Sequence, residues 1–200
     1  MTRRRARFAA AALLLVLTIG AGACAKPSDP GAALPDSEHT PGTEGDGTPV
    51  FPAPKDTGEA VRRAGLSQLP TERLEVHYHP HVDVIVNDHK VAVAANIGIS
   101  ADGFSPLHTH DTTGTIHIES AKADVFRVGQ LFAEWGVKLD KNCVATYCTD
   151  DKSQLLGFVN GQLVGDPASI PFAPNQEVVI WYGPRGINPK VPTSITEQPT

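Results

Sequence analysis

No HExxH, no GxSxG and no phosphate-cradling glycine loop occurs in the 200 residues. The motif-borne zinc-protease, serine-hydrolase and nucleotide-binding solutions are therefore missing. Basic charge is also scarce: Lys and Arg number 17 against 22 acidic residues, and four of the 17 are arginines crowded between positions 3 and 7. Beyond residue 23 the balance is 13 basic to 22 acidic, a net charge of −9. That balance excludes nucleic acid as an expected partner and favours cations. No apolar run reaches the roughly 20 residues that a bilayer-spanning helix requires. Sulfur is sparse as well, with one methionine, Met1, and three cysteines, Cys24, Cys143 and Cys148.

The N-terminus is the first informative stretch. Thr2 to Arg7 is a positive flank, Phe8 to Ile19 a short apolar run, and Gly20 to Ala23 a series of small residues leading to Cys24. This order predicts a secretory signal over residues 1–23. The stretch Ala21-Gly22-Ala23-Cys24 resembles the lipobox of bacterial lipoproteins. That resemblance implies a diacylated Cys24 and a protein anchored to the outer face of the cytoplasmic membrane. Ala21-x-Ala23 also suits cleavage without lipid. With Cys24 set aside, Cys143 and Cys148 are expected to form a disulfide in an oxidising compartment; the alternative is a Cys-x4-Cys metal site.

Residues 24–58 are expected to be a flexible linker, since 25–58 holds seven prolines and five glycines among polar residues, with Phe51 its only aromatic. Residues 187–200 are expected to be a disordered tail. Between them, 59–186 suffices for one α+β domain. A short helix is predicted near 59–69. From Val76 the period is two, with Val76, Tyr78, Val82, Val84 and Val86 on one side of a strand and His77, His79, His81 and Asp83 on the other. Pro80 interrupts its ladder. Asn87-Asp88-His89-Lys90 predicts a turn that leaves His89 solvated. Thr115, His117 and Glu119 alternate with Ile116 and Ile118 on a further strand. Val128, Leu131, Phe132 and Trp135 form a helical stripe stopped by Gly136. A hairpin about Asn160-Gly161 and a last strand from Glu177 follow.

From Ile116 to Gly183, the helix, the Val159-Asn160-Gly161 turn and Glu177-Val178-Val179-Ile180 resemble the β-grasp fold of ubiquitin and the sulfur carriers. The resemblance implies a mixed sheet with one packed helix and, ahead of it, an extra N-terminal β-hairpin. The reactive C-terminal Gly-Gly of the sulfur carriers is absent. Residues 64–183 also resemble a group of exported proteins sharing a His-x-His-x-His strand and a His-Thr-His-Asp segment, which implies no particular chemistry.

Six histidines fall in three phased sets: His77, His79 and His81; His108 and His110; and His117. Imidazole is the commonest metal ligand among side chains, and two histidines two apart on a strand point the same way. The expectation is a metal site drawn from these six, with Asp83, Asp111 and Glu119 as further ligands or as acceptors that orient a ring. A pH-sensing cluster and a merely polar surface are the alternatives. His39 stands alone. Met1 leaves with the signal, so imidazole and carboxylate point to Cu(II) or Zn(II) rather than Cu(I). Three functions are compatible with such a site: an ion-buffering or ion-delivering protein, a metalloenzyme with Glu119 or Asp111 as base, and an interaction module that needs no metal. On the anchor, Cys24→Ser is expected to release the protein from the membrane fraction or to leave the precursor uncleaved. Fractionation and intact-mass analysis of the two forms decide this, and normal processing with unchanged retention refutes the lipid.

Overall fold

The computed structural model describes residues 41–72 and 75–195. The signal segment, Cys24 and His39 lie outside the described residues. The class is α+β, with two α-helices and several sheets among the described residues. No helix among the described residues is long and apolar enough to cross a membrane.

The main sheet has five strands in the order Gln162–Val164, Ser153–Val159, Glu177–Pro184, His81–Val86, His89–Val91. Its pairings are antiparallel except at the centre, where Glu177–Pro184 runs parallel to His81–Val86. Both edge hairpins close through two residues at positive φ, Asn87 (50°) with Asp88 (66°) and Asn160 (48°) with Gly161 (77°). These are the residue types that accept the left-handed conformation such turns demand. The His81–Val91 hairpin thus belongs to the same sheet as the closing strand and is no addition to it. The strand at His117 does not join this sheet. The sheet accordingly runs from residue 81 to 184 rather than from 116.

Helix Val128–Trp135 opens with the Arg127 amide donating to Gln130 Oε1 at 2.9 Å and closes on Gly136 at φ 75°. Its expected stripe of Val128, Leu131, Phe132 and Trp135 is wholly buried, packed with Val82, Val84, Val178 and Ile180 of the sheet in one core. Glu134 on the same helix is wholly buried too. The sheet's other face carries a smaller apolar group of Phe158, Val179 and Trp181, with Val191 against it.

Two segments expected to be loose are packed. Gly42–Thr43 pairs with Pro49–Val50, and Phe51 is buried. The Phe51 ring meets Trp135 at 5.8 Å between centroids, and its carbonyl accepts from Trp135 Nε1 at 3.1 Å. A single aromatic with a waiting indole is enough to anchor a Pro- and Gly-rich stretch. At the other end, Val191 covers the sheet's second face, and the Ile187 carbonyl accepts from Gln154 Nε2 at 2.8 Å. Order therefore extends on both sides of the expected 59–186. The first helix spans Thr57–Arg63, capped by Asp56, whose carboxylate accepts from the Glu59 amide. Cys143 and Cys148 face each other across a short hairpin and form a disulfide, so neither is a metal ligand.

A second sheet of three strands lies beside the first, in the order Val76–Tyr78, His117–Ser120, Leu107–His108. Pro80 is where the chain passes between the sheets: its carbonyl accepts from the Ile116 amide at 2.9 Å, and the next amide but one, Val82, donates to the Gly114 carbonyl at 2.8 Å. Gly114 has φ 96°, and a Cβ there would collide with the Val82 carbonyl, which makes glycine a requirement at this junction.

Phe51→Ala should cost about 3–5 kcal/mol, the usual range for emptying a buried aromatic position. Chemical denaturation measures it. An unchanged midpoint would return residues 41–58 to the role of a loose tether.

Candidate metal centre

The three-stranded sheet sorts its residues by parity. His77 stands opposite Glu119, and His108 opposite His117. Opposed residues share a face, as do residues two apart along one strand. His77, Glu119, His117 and His108 therefore occupy one face. Tyr78, Ile118, Leu107 and Ile116 take the other, the last three with no exposed surface. His79 prolongs the histidine face beyond the end of its strand, and His110 does so two residues after His108.

Four donor atoms close a ring there. His77 Nε2 lies 2.9 Å from His79 Nε2, which lies 3.1 Å from His117 Nδ1. Glu119 Oε1 completes the circuit, 3.4 Å from His117 Nδ1 and 3.3 Å from His77 Nε2. These four contacts cannot all be hydrogen bonds. Each ring nitrogen has a single in-plane site, holding either a proton or a lone pair. If His77 and His117 both donate to the carboxylate, His79 Nε2 is left facing two N–H groups already engaged. One cation at the centre would satisfy all four atoms together. Donors bound at about 2.0–2.1 Å in a tetrahedron lie about 3.4 Å apart, close to the spacings here.

A second group sits alongside. His110 and His117 approach to 4.4 Å between ring centroids, His108 and His110 to 5.0 Å, and His108 and His117 to 5.3 Å. The donor atoms of His108, His110 and His117 fall within 4.8 Å of one another, as do those of Glu72, His108 and Glu119. The described residues thus offer several histidine–glutamate groups that could hold a metal ion.

Burial and mutual repulsion disfavour the protonated form of His79, His108 and His117. Burial, then the charges His117 and His77 would carry, hold His79 below the usual imidazole range. His117 is lowered by burial, then by His110 and His77. His108 is pushed down to about 4, with burial the main cause. Wholly buried, it has Nδ1 2.9 Å from the Ser105 carbonyl, which can only accept, so Nδ1 carries the proton and Nε2 the lone pair. A backbone carbonyl fixing the tautomer of a ligating histidine is the usual arrangement behind a metal ligand. Ser105 is held in turn by its hydroxyl, which donates to Glu134 Oε1 from beneath. Burial raises the Glu134 carboxyl well above the carboxylate range.

His81 does not join this face. Its Nε2 lies 2.9 Å from the Thr113 carbonyl and its Nδ1 3.1–3.2 Å from the Glu177 carboxylate. Both partners are acceptors, so this arrangement suits a doubly protonated ring; with Asp83 and Glu177, His81 forms a separate candidate group whose donor atoms lie within 4.8 Å of one another. Burial opposes that charge, but the Glu177 bond and charge outweigh it and raise the pKa. Asp83 goes with His81, at 4.0 Å, and with Lys90 Nζ at 2.7 Å. The cause is Pro80: the strand expected to run through 76–86 breaks there, and the residues beyond it enter the other sheet. Asp111 is exposed and shapes its own loop, accepting from the Thr113 amide at 2.9 Å and hydroxyl at 2.6 Å. His89 begins a strand rather than lying in the turn, with Nδ1 3.1 Å from Thr48 Oγ1. Glu72, Ser105, Glu134 and Glu177 were not legible as participants. Glu72 sits outside any periodic segment, and the other three act through contacts 29 to 96 residues distant or through a backbone carbonyl.

Comparison with known family models, curated proteins and solved structures finds no match to this chain.

In metal-free protein the unfolded chain protonates His108 near pH 6.5 and the folded chain only near 4. Between those values the unfolded state holds the extra proton, so stability present above pH 6.5 is lost as pH falls towards 4. For this group the loss is ~3 kcal/mol. Denaturation in chelator across that window should show His108→Asn less acid-sensitive than wild type. Equal slopes would mean that His108 titrates normally.

Proposed function

We propose that the protein is an exported, membrane-tethered metal-binding protein that buffers or hands on Cu(II) or Zn(II) through its histidine face. The observation that carries this is the ring of four donor atoms from His77, His79, His117 and Glu119, spaced 2.9–3.4 Å apart. Purely nitrogen and oxygen donors suit Cu(II) and Zn(II) and disfavour Cu(I). The His77 side chain is 39% exposed and that of His117 22%, against 5% for Glu119. One side of the centre therefore meets solvent, as exchange with a partner requires. The Cys143–Cys148 disulfide agrees with an oxidising compartment, and the lipid on Cys24 supplies the tether. The strand order of the five-stranded sheet supports a β-grasp reading of the fold, which assigns no chemistry by itself.

Calorimetric titration of protein made without affinity histidines should show binding of Cu(II) or Zn(II) tighter than about 10 μM near pH 7.5. His77→Ala/His79→Ala should weaken it at least about tenfold, a loss of ~1.4 kcal/mol or more. His89→Ala, whose ring bonds to Thr48 instead, should change nothing. Bound metal should also raise the melting temperature. If neither ion binds more tightly than that threshold, the reading fails.

A further inference from the structure

The histidine face has more donors than one ion can use. His77, His79, His108, His110, His117, Glu72 and Glu119 all belong to overlapping candidate groups. A structural Zn(II) takes four ligands, and all the donors of one such ion lie within about 4.2 Å of each other, twice the bond length. The group containing His77 and His79 and the groups containing His108 share members but do not merge into one.

We propose that this face binds two divalent transition-metal ions, one on each oxygen of the Glu119 carboxylate. The inference rests on the metal-binding reading above. The first ion takes His77, His79, His117 and Glu119 Oε1. The second takes His108 Nε2, Glu119 Oε2 and Glu72, which form a group of their own.

Two orphaned atoms carry the proposal. His108 Nε2 and Glu119 Oε2 are buried and have no hydrogen-bond partner. Their residues have relative exposures of 0% and 4%. Neither atom belongs to the first centre, whose contacts use Glu119 Oε1 and do not involve His108. Leaving a buried polar atom unpaired is costly, and here two such atoms belong to residues whose donor atoms group within 4.8 Å of each other and of Glu72. A second cation among them pairs both. His108 is already prepared for it, because the Ser105 carbonyl holds the proton on Nδ1. Glu72 closes the coordination from the solvent side, and His110 flanks it at the rim, with its Nε2 3.9 Å from Glu72 Oε1. Carboxylate bridging is an established means of holding two cations a few ångströms apart, and it lowers the repulsion between them.

The test is a count. Full-length processed protein without affinity histidines is loaded with excess zinc sulfate or, separately, copper sulfate, desalted, and assayed for metal per chain. Two equivalents are expected for wild type. His110→Ala/Glu72→Ala, both at exposed positions, should retain one equivalent, with the weaker step of the titration falling at least tenfold. His77→Ala/His79→Ala should also retain one. With copper, two ions sharing a carboxylate couple magnetically, so the paramagnetic signal at two equivalents should fall short of twice the signal at one. One equivalent in wild type overturns the second centre while leaving the metal-binding reading intact; none overturns both. Two equivalents that survive His110→Ala/Glu72→Ala and His108→Ala alike, or two uncoupled copper signals, place the second ion elsewhere and overturn the proposal.

Discussion

The pairing of the His117–Ser120 strand with a neighbour on each side is the constraint on which the rest depends. One register, His77 with Glu119 and His108 with His117, decides both what is buried and what is presented. A slip by one residue on either side would exchange the faces. Ile116 and Ile118 would then meet water, and the imidazoles would enter the core unpaired. The apolar half therefore enforces the polar half. The burial of Leu107, Ile116 and Ile118 is wholly complete, and each such side chain is worth roughly 1.5–3 kcal/mol. That burial opposes any tendency of the crowded imidazoles to separate, and it holds the donors close.

The second constraint comes from below. Glu134 is a charged residue type buried on a helix face that otherwise supplies the core, an arrangement that needs an explanation. The hydroxyl of Ser105 gives part of one. It bonds Glu134 and also receives the Leu107 amide at 3.3 Å, while the Ser105 carbonyl takes His108 Nδ1. The helix thus reaches through one serine to the orientation of a histidine on the opposite side of the core. Burial raises the Glu134 carboxyl well above the carboxylate range, which disfavours negative charge beneath the candidate metal centre. The core and the histidine face are consequently not independent layers.

Much of this was legible in the sequence. The period-two alternation placed Ile116 and Ile118 opposite Glu119 and His117, and the i, i+3, i+4, i+7 stripe picked out the residues that cover the sheet. Asn160-Gly161 announced its turn because few other pairs accept two positive φ angles. What escaped was non-local. The burial of Phe51 depends on Trp135, 84 residues away, and composition alone made its surroundings look loose. His81 shares the parity of His77 and His79, so no local signal sets it apart. Its assignment turns on Thr113 and Glu177, brought to it by two different sheets. Pro80 gave notice of an interruption, but not that the chain changes sheets there.

The fate of His81 bears on how the histidine face works. Residues 111–114 lie between the His108 and His117 strands, and this loop is held to the main sheet by the Val82 amide, which donates to the Gly114 carbonyl, and by the His81 ring at the Thr113 carbonyl. When His81 is protonated, it and Lys90 face Glu177 and Asp83, two positive groups against two negative. The donor atoms of His81, Asp83 and Glu177 also lie within 4.8 Å of one another, but that set carries its own balancing charges. The neighbouring face has the opposite character, with lone pairs converging and two buried acceptor atoms unpaired. The chain thus uses one histidine of the series to tie the sheets together, and this keeps its loop in place beside the other five. Proximity in sequence made the six histidines look alike; the acceptors that each one meets separate a structural cation from a cation site.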